Sequence, residues 1–149
     1  MNTLTDNVYT AIDANLNRAI EGIRVCEDVL RFIAHDERSI NFKKLRHKLV
    51  NALKDLDIST LLNARNVDDD KQKFIDLNSE KTRNSVESVF TSNISRAQES
   101  VRCLEEFTKL VCSENSNMSA ELQNIRFELY SLEKEIFPMI QEKMGSLYF

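Results

Sequence analysis

Residues 14–33 read ANLNRAIEGIRVCEDVLRFI, and residues 92–111 read SNISRAQESVRCLEEFTKLV. In both stretches apolar side chains recur at threes and fours, the spacing that lines one face of an α-helix. The two also repeat each other: Asn15, Arg18, Ala19, Glu21, Arg24 and Glu27 return 78 residues later as Asn93, Arg96, Ala97, Glu99, Arg102 and Glu105. Apolar positions drift between the copies (Leu16 to Ile94, Ile23 to Val101, Cys26 to Leu104), whereas Asn, Arg and Glu stay fixed. Packing alone makes no such demand, so the polar positions carry the information.

Outward from these blocks the first periodic run covers 6–34 and is ended by His35, Asp36 and Glu37. Ser39 is placed to cap a second helix carrying Ile40, Phe42, Leu45, Leu49 and Leu53, with the pattern fading at 55–57. Residues 58–78 are less periodic and include ARNVDDDKQK, which reads as a highly charged loop. A third helix is predicted over 79–112, with a kink near Thr91, and a fourth over 119–143, bent or broken by Pro138. The partner helices repeat more weakly, LRHKL at 45–49 against IRFEL at 125–129, which matches Arg46 with Arg126. The prediction is one all-α domain spanning 1–149. It is a bundle of two repeated helical hairpins with pseudo-twofold symmetry, the halves at 6–57 and 79–143.

Composition agrees. Two glycines and one proline in 149 residues leave little material for tight turns or barrel corners. Charges of both signs are mixed along the chain, with a net of -4 and no basic run to follow a phosphate backbone, which argues against nucleic acid as a partner. Cys26, Cys103 and Cys112 sit inside helical patterns without Cys-x-x-Cys spacing and read as small apolar residues in a reducing compartment. The opening MNTLTDNVYT lacks a basic, apolar leader pattern, and no apolar run approaches the ~20 residues of a membrane span. The expectation is a soluble, cytoplasmic protein without a membrane partner.

At 100° per residue from Asn15, the residues Leu16, Ala19, Ile23, Cys26 and Leu30 fall within roughly 20° to 100°, the expected buried stripe. Glu27 and Asn15 lie inside or at its edge, Arg18 borders it, and Glu21 and Arg24 face away. A carboxylate on such a stripe must be protonated, paired or bound to a cation. Arg18, Arg96, Arg46 and Arg126 are the candidate partners of Glu27 and Glu105, gathered about a common axis. Arginine forks with nearby carboxylates suit an anionic ligand and a magnesium ion. The plainer reading is a buried Arg–Glu–Asn network that fixes helix register, and from residue types alone it is the stronger one. His47 reads as a partly buried histidine satisfied by hydrogen bonds, His35 as a helix-end charge favourable to the dipole, and Asp68 to Asp70 as a solvated loop. There is no GxxxxGK[ST] or GxGxxG.

The segments DANLNRAIEGIRVCEDVLRF, LRHKL, AR-x4-D, E-x2-R, SNISRAQESVRCLEEFTKL and IRFELYSLE, between Asp13 and Glu133, resemble the helical hydroxymethylpyrimidine phosphate kinase domain. That domain is found alone or fused ahead of thiamine-phosphate synthase. The resemblance implies ATP- and magnesium-dependent phosphorylation of a phosphorylated pyrimidine to its diphosphate in thiamine biosynthesis. It implies phosphate or substrate contacts from Asn15, Arg18, Arg46, His47, Arg65, Arg83, Asn93 and Arg96, with Glu27, Glu105 and Asp70 as catalytic and metal-binding carboxylates. The synthase barrel is not represented, so the synthase reaction itself is not expected. Two departures stand out: Asp69, Asp70, Lys71 and Gln72 replace a glycine-containing GDVG stretch, and Asn66 follows Arg65 where aspartate is usual. The alternative is a non-catalytic helical partner of thiamine-phosphate synthase or a ligand-binding sensor of that pathway. Long helical faces leave room for a homodimer.

Overall fold

The computed structural model describes residues 3–57 and 82–144. Within them the chain forms four helices packed as a bundle: α1 (Leu4–Asp28), α2 (Ser39–Ala52), α3 (Val86–Thr108) and α4 (Met118–Met144). No strand element occurs among the described residues. The all-α expectation is met, while Arg65, Asp70, the 69–72 stretch and most of the charged connection lie outside the described residues.

Each helix forms for local reasons. α1 starts with a capping box in which Thr3 Oγ1 accepts from Asp6 N and Asp6 Oδ2 accepts from Thr3 N, satisfying two groups the first turn leaves open. Ser85 and Ser88 make the same reciprocal pair at the start of α3. That cap sets the start of α3 at Val86, seven residues later than periodicity placed it. Ser39 is the first residue of α2 and not its cap; Arg38 precedes it with no side-chain cap bond. α4 continues through Pro138. The ring sits on an exposed flank, where the carbonyl it displaces can turn to water.

α1 ends in a π-helical turn, Val29–Ile33, closed by His35 in the left-handed region at φ 51°. Ala34 N donates to Val29 O and Asp36 N to Leu30 O, both at 2.8 Å, so the last carbonyls of the helix are paired. Asp36 then fixes the turn into α2, because its carboxylate accepts from the backbone, Nε and Nη2 of Arg38 at 2.8 to 2.9 Å. The Arg38 guanidinium holds the Asp36 carboxyl down at about 2. A depressed folded-state value stabilises above the unfolded value near 4 and is lost as pH falls through 2. Arg38→Ala is therefore expected to cost about 1 kcal/mol at pH 6, with the difference from wild type vanishing below pH 2 in urea unfolding curves taken across that range.

The core is the stripe the sequence marked. Ala19, Ile23, Cys26 and Leu30 are fully buried on α1, as are Ile94, Ala97, Val101 and Leu104 on α3; Leu16 is half-buried. Phe42 and Phe90 meet edge to face at 6.3 Å and tie α2 to α3. Ile40, counted above with the apolar face of α2, is 47% exposed.

The α1–α3 seam is closed by Gly22. A Cβ there would lie 2.7 Å from Asn93 O and 3.3 Å from Ala97 Cβ. Cys26 Sγ meets Phe90 O at 3.7 Å, so residue numbers rise along α1 as they fall along α3, and the two helices run in opposite senses. Alanine normally helps a helix interior by about 1 kcal/mol over glycine. Here the colliding atom is backbone, and Gly22→Ala is expected to destabilise by about 2 kcal/mol, visible as a lower thermal midpoint.

Candidate functional site

The two repeated glutamates are buried, at 4% exposure for Glu27 and 2% for Glu105. Each is met by an arginine from the second helix of its own hairpin. Arg46 Nη2 donates to both oxygens of Glu27 at 3.1 and 3.0 Å. Arg126 donates Nε to Glu105 Oε2 and Nη2 to Oε1, the latter at 3.1 Å. A second arginine leans in from one turn away on the same helix: Arg24 Nε at 3.6 Å from Glu27 and Arg102 Nη1 at 3.5 Å from Glu105. Thus Arg46 and Arg126 fill the expected role, Arg18 and Arg96 do not, and Arg24 and Arg102, which helical angles turn outward, contribute through their long stems.

The pairs differ in completeness. Arg126 presents a true fork and lies against the rings of Phe127 and Tyr130, with 5.0 and 5.8 Å from its guanidinium carbon to the ring centroids. Bonding to Glu105 and then to Tyr130 raises its already high pKa. Arg46 uses one nitrogen, and its buried Nε has no partner among the described residues.

Nor do the glutamates converge. Glu27 follows Cys26, which is level with Phe90, and Glu105 lies fifteen residues farther along α3, about 22 Å at 1.5 Å per residue. The expectation that both carboxylates gather around one pocket is corrected: antiparallel packing sends them to opposite ends of the seam. No group of three or more His, Cys, Asp or Glu side chains suited to a metal occurs among the described residues.

The seam itself carries the other repeated residues. Asn15 and Asn93 bond back to their own helices, Nδ2 donating to Ala11 O at 2.9 Å and to Val89 O at 2.8 Å. Arg18 lies one turn after Asn15, and Arg96 one turn after Asn93, whose carbonyl touches Gly22. Both arginines are exposed. Since Gly22 sits against Asn93 and Ala97, Arg18 and Arg96 come within about one turn of the same level, roughly 5 Å along the seam. The buried flanks of α1 and α3 face α2 and α4, so both guanidinium groups border the opposite, open edge. Among the described residues neither makes an ion pair or a side-chain hydrogen bond, in contrast to Arg24, Arg46, Arg102 and Arg126. Glu21 and Glu99 stand beside them, exposed, and make no ion pair among the described residues.

His47 lies elsewhere, exposed on α2 and lining a groove between α2 and α4. Arg83 is exposed just before α3, with Nη1 donating to Thr82 O at 2.9 Å. Cys26, Cys103 and Cys112 are all free thiols. Burial, and then the charge of Glu133, push the Cys26 thiol far up, which removes it as a nucleophile. No helix among the described residues is long and apolar enough to cross a membrane.

Sequence reasoning missed the Lys44, Lys48 and Asn51 stripe on α2 and the Glu128 facing it. Their spacing of threes and fours was the available signal, but it is also that of any solvated helix face.

Compared with known proteins, the chain matches the ThiD2 family over residues 10–135. It is 39% identical to the thiamine-phosphate synthase of Prochlorococcus marinus subsp. pastoris over 126 residues, 84% of this chain and 34% of that one. It is 32% identical to the thiamine-phosphate synthase of Rhodopirellula baltica over 136 residues, 91% of this chain and 36% of the relative. Against that of Nostoc punctiforme the identity is 32% over 130 residues, 87% and 35% of the two chains. The chain thus spans about a third of the length of these relatives. No solved structure matches it.

Proposed function

Because the chain belongs to the ThiD2 family, we propose that it works in thiamine biosynthesis as a kinase, transferring the γ-phosphoryl group of ATP to hydroxymethylpyrimidine phosphate. The observation that supports this best is the pair of uncommitted arginines, Arg18 and Arg96, held level at the open edge of the α1–α3 seam. Four neighbouring arginines are paired with buried glutamates; among the described residues these two have no such partner, which leaves their donors to a ligand.

Phosphoryl transfer asks the protein mainly for positioning and charge neutralisation. An oxygen of the substrate phosphate attacks the γ-phosphorus, the bond to the ADP oxygen breaks, and a diphosphate leaves with ADP. Arg18 and Arg96 would fork onto phosphate oxygens on either side of the seam. Asn15 and Asn93, with their amide nitrogens tied to backbone, keep their carbonyl oxygens in fixed orientation beside them. Glu27 and Glu105, first assigned to catalysis and metal, act instead as positioning residues that hold Arg46 and Arg126. Glu21 and Glu99 are the free carboxylates nearest the two arginines, and a magnesium ion fits one or two carboxylates together with substrate phosphates. When bound, such an ion neutralises charge building on the phosphoryl oxygens. Arg65, Arg83 and Asp70 stay as contributors the resemblance implies, while His47 lies apart from the seam, in the groove between α2 and α4.

The buried glutamate pairs also favour a second reading, a helical module that binds a pathway ligand or thiamine-phosphate synthase without turnover. One assay separates the two: purified chain, ATP, magnesium and the pyrimidine monophosphate, with product mass measured directly. Diphosphate formation is expected; its absence after long incubation removes the kinase and leaves the module.

A further inference from the structure

We propose that the groove between α2 and α4 is a second small-molecule site, for a compact ligand that carries an anionic group and a protonated or amino nitrogen together. The groove consists of two adjoining chambers of about 690 and 550 Å³, which share Lys48, Asn51, Glu128 and Ser131. That size suits a metabolite-sized ligand. The described lining residues all come from 41–52 or 121–132, away from Arg18, Arg96 and the α1–α3 seam.

Its walls are segregated by charge. α2 supplies Lys44 and Lys48, and α4 supplies Glu128 and Glu121, over an apolar floor that includes Leu45 and Ile125. Lys48 and Glu128 pair across the mouth, and both side chains are about half exposed, so the bridge adds little stability and opens readily. An anion alone would engage only the α2 wall, and a cation alone only the α4 wall. A ligand with both groups meets both walls at once, with a charge-assisted bond to each.

The test uses the full chain and three probes followed by calorimetric titration: inorganic phosphate, 4-aminopyridine, and pyridoxamine 5′-phosphate, which carries both groups on a flat ring. Pyridoxamine 5′-phosphate is expected to bind at least tenfold more tightly than either of the others. Lys48→Ala and Glu128→Gln should each weaken it about tenfold while leaving the helical circular dichroism signal and thermal midpoint unchanged. Arg18→Ala and Arg96→Ala should not alter it, and amide shift changes should map to α2 and α4. Equal affinity for all three probes, no binding at 10 mM, unchanged affinity in the Lys48 and Glu128 variants, or shift changes confined to the α1–α3 seam would each overturn the proposal. Because no ATP is present, the outcome is read independently of kinase activity.

Discussion

Replacing Glu105 with glutamine is expected to lower the unfolding free energy by about 3 kcal/mol, since it leaves the half-buried Arg126 facing a neutral amide. In a domain of this size that is a fall of about 10 °C in thermal midpoint. The Arg126 side chain is 14% exposed and Glu105 3% exposed, so water can replace little of the lost charge interaction. Glu27→Gln should cost less, about 2 kcal/mol. Arg46 meets Glu27 through one nitrogen, already has an unpaired Nε, and lacks the two rings that flank Arg126. Urea unfolding of both variants, with the order Glu105→Gln worse than Glu27→Gln, checks the structural role. If either variant keeps wild-type stability yet loses turnover, the carboxylate acts in chemistry and the positioning role assigned to it fails.

Arg18→Ala and Arg96→Ala should show the opposite separation. Each is expected to reduce kcat/KM for diphosphate formation about 100-fold, which is close to 2.7 kcal/mol of transition-state stabilisation, with stability unchanged within about 0.5 kcal/mol. The side chains are exposed, and among the described residues they make no ion pair or side-chain hydrogen bond, so truncation removes little that holds the fold. A lysine at either position keeps the charge but loses the planar fork, and it should recover part of KM before it recovers kcat. Removing both arginines should abolish measurable turnover in a fully folded protein. Activity that survives the double variant would place the phosphates elsewhere.

The two experiments together sort six arginines into two groups that the repeat pattern presents as equivalent. Arg24, Arg46, Arg102 and Arg126 satisfy buried carboxylates, and their loss should be read in melting curves. Arg18 and Arg96 face outward from a seam held close by Gly22, and their loss should be read in turnover. Gly22→Ala links the groups, because widening the seam both destabilises the bundle and separates the two free guanidinium groups.

Much of this was legible in the chain before any coordinates. Helical periodicity is a local property, fixed by 3.6 residues per turn, so the stripe from Ala19 to Leu30, its copy on α3 and the inward placement of Glu27 and Glu105 could be read directly. The need of those carboxylates for cations followed from the cost of burying charge. Which cations they found did not follow. That depends on which helix lies alongside at which level, a non-local matter settled by the backbone contact at Gly22 and by antiparallel packing of α1 on α3. Only the tertiary structure chose Arg46 and Arg126, parted the two glutamates to opposite ends of the seam, set Arg18 and Arg96 exposed at its open edge, and opened a charged groove between α2 and α4.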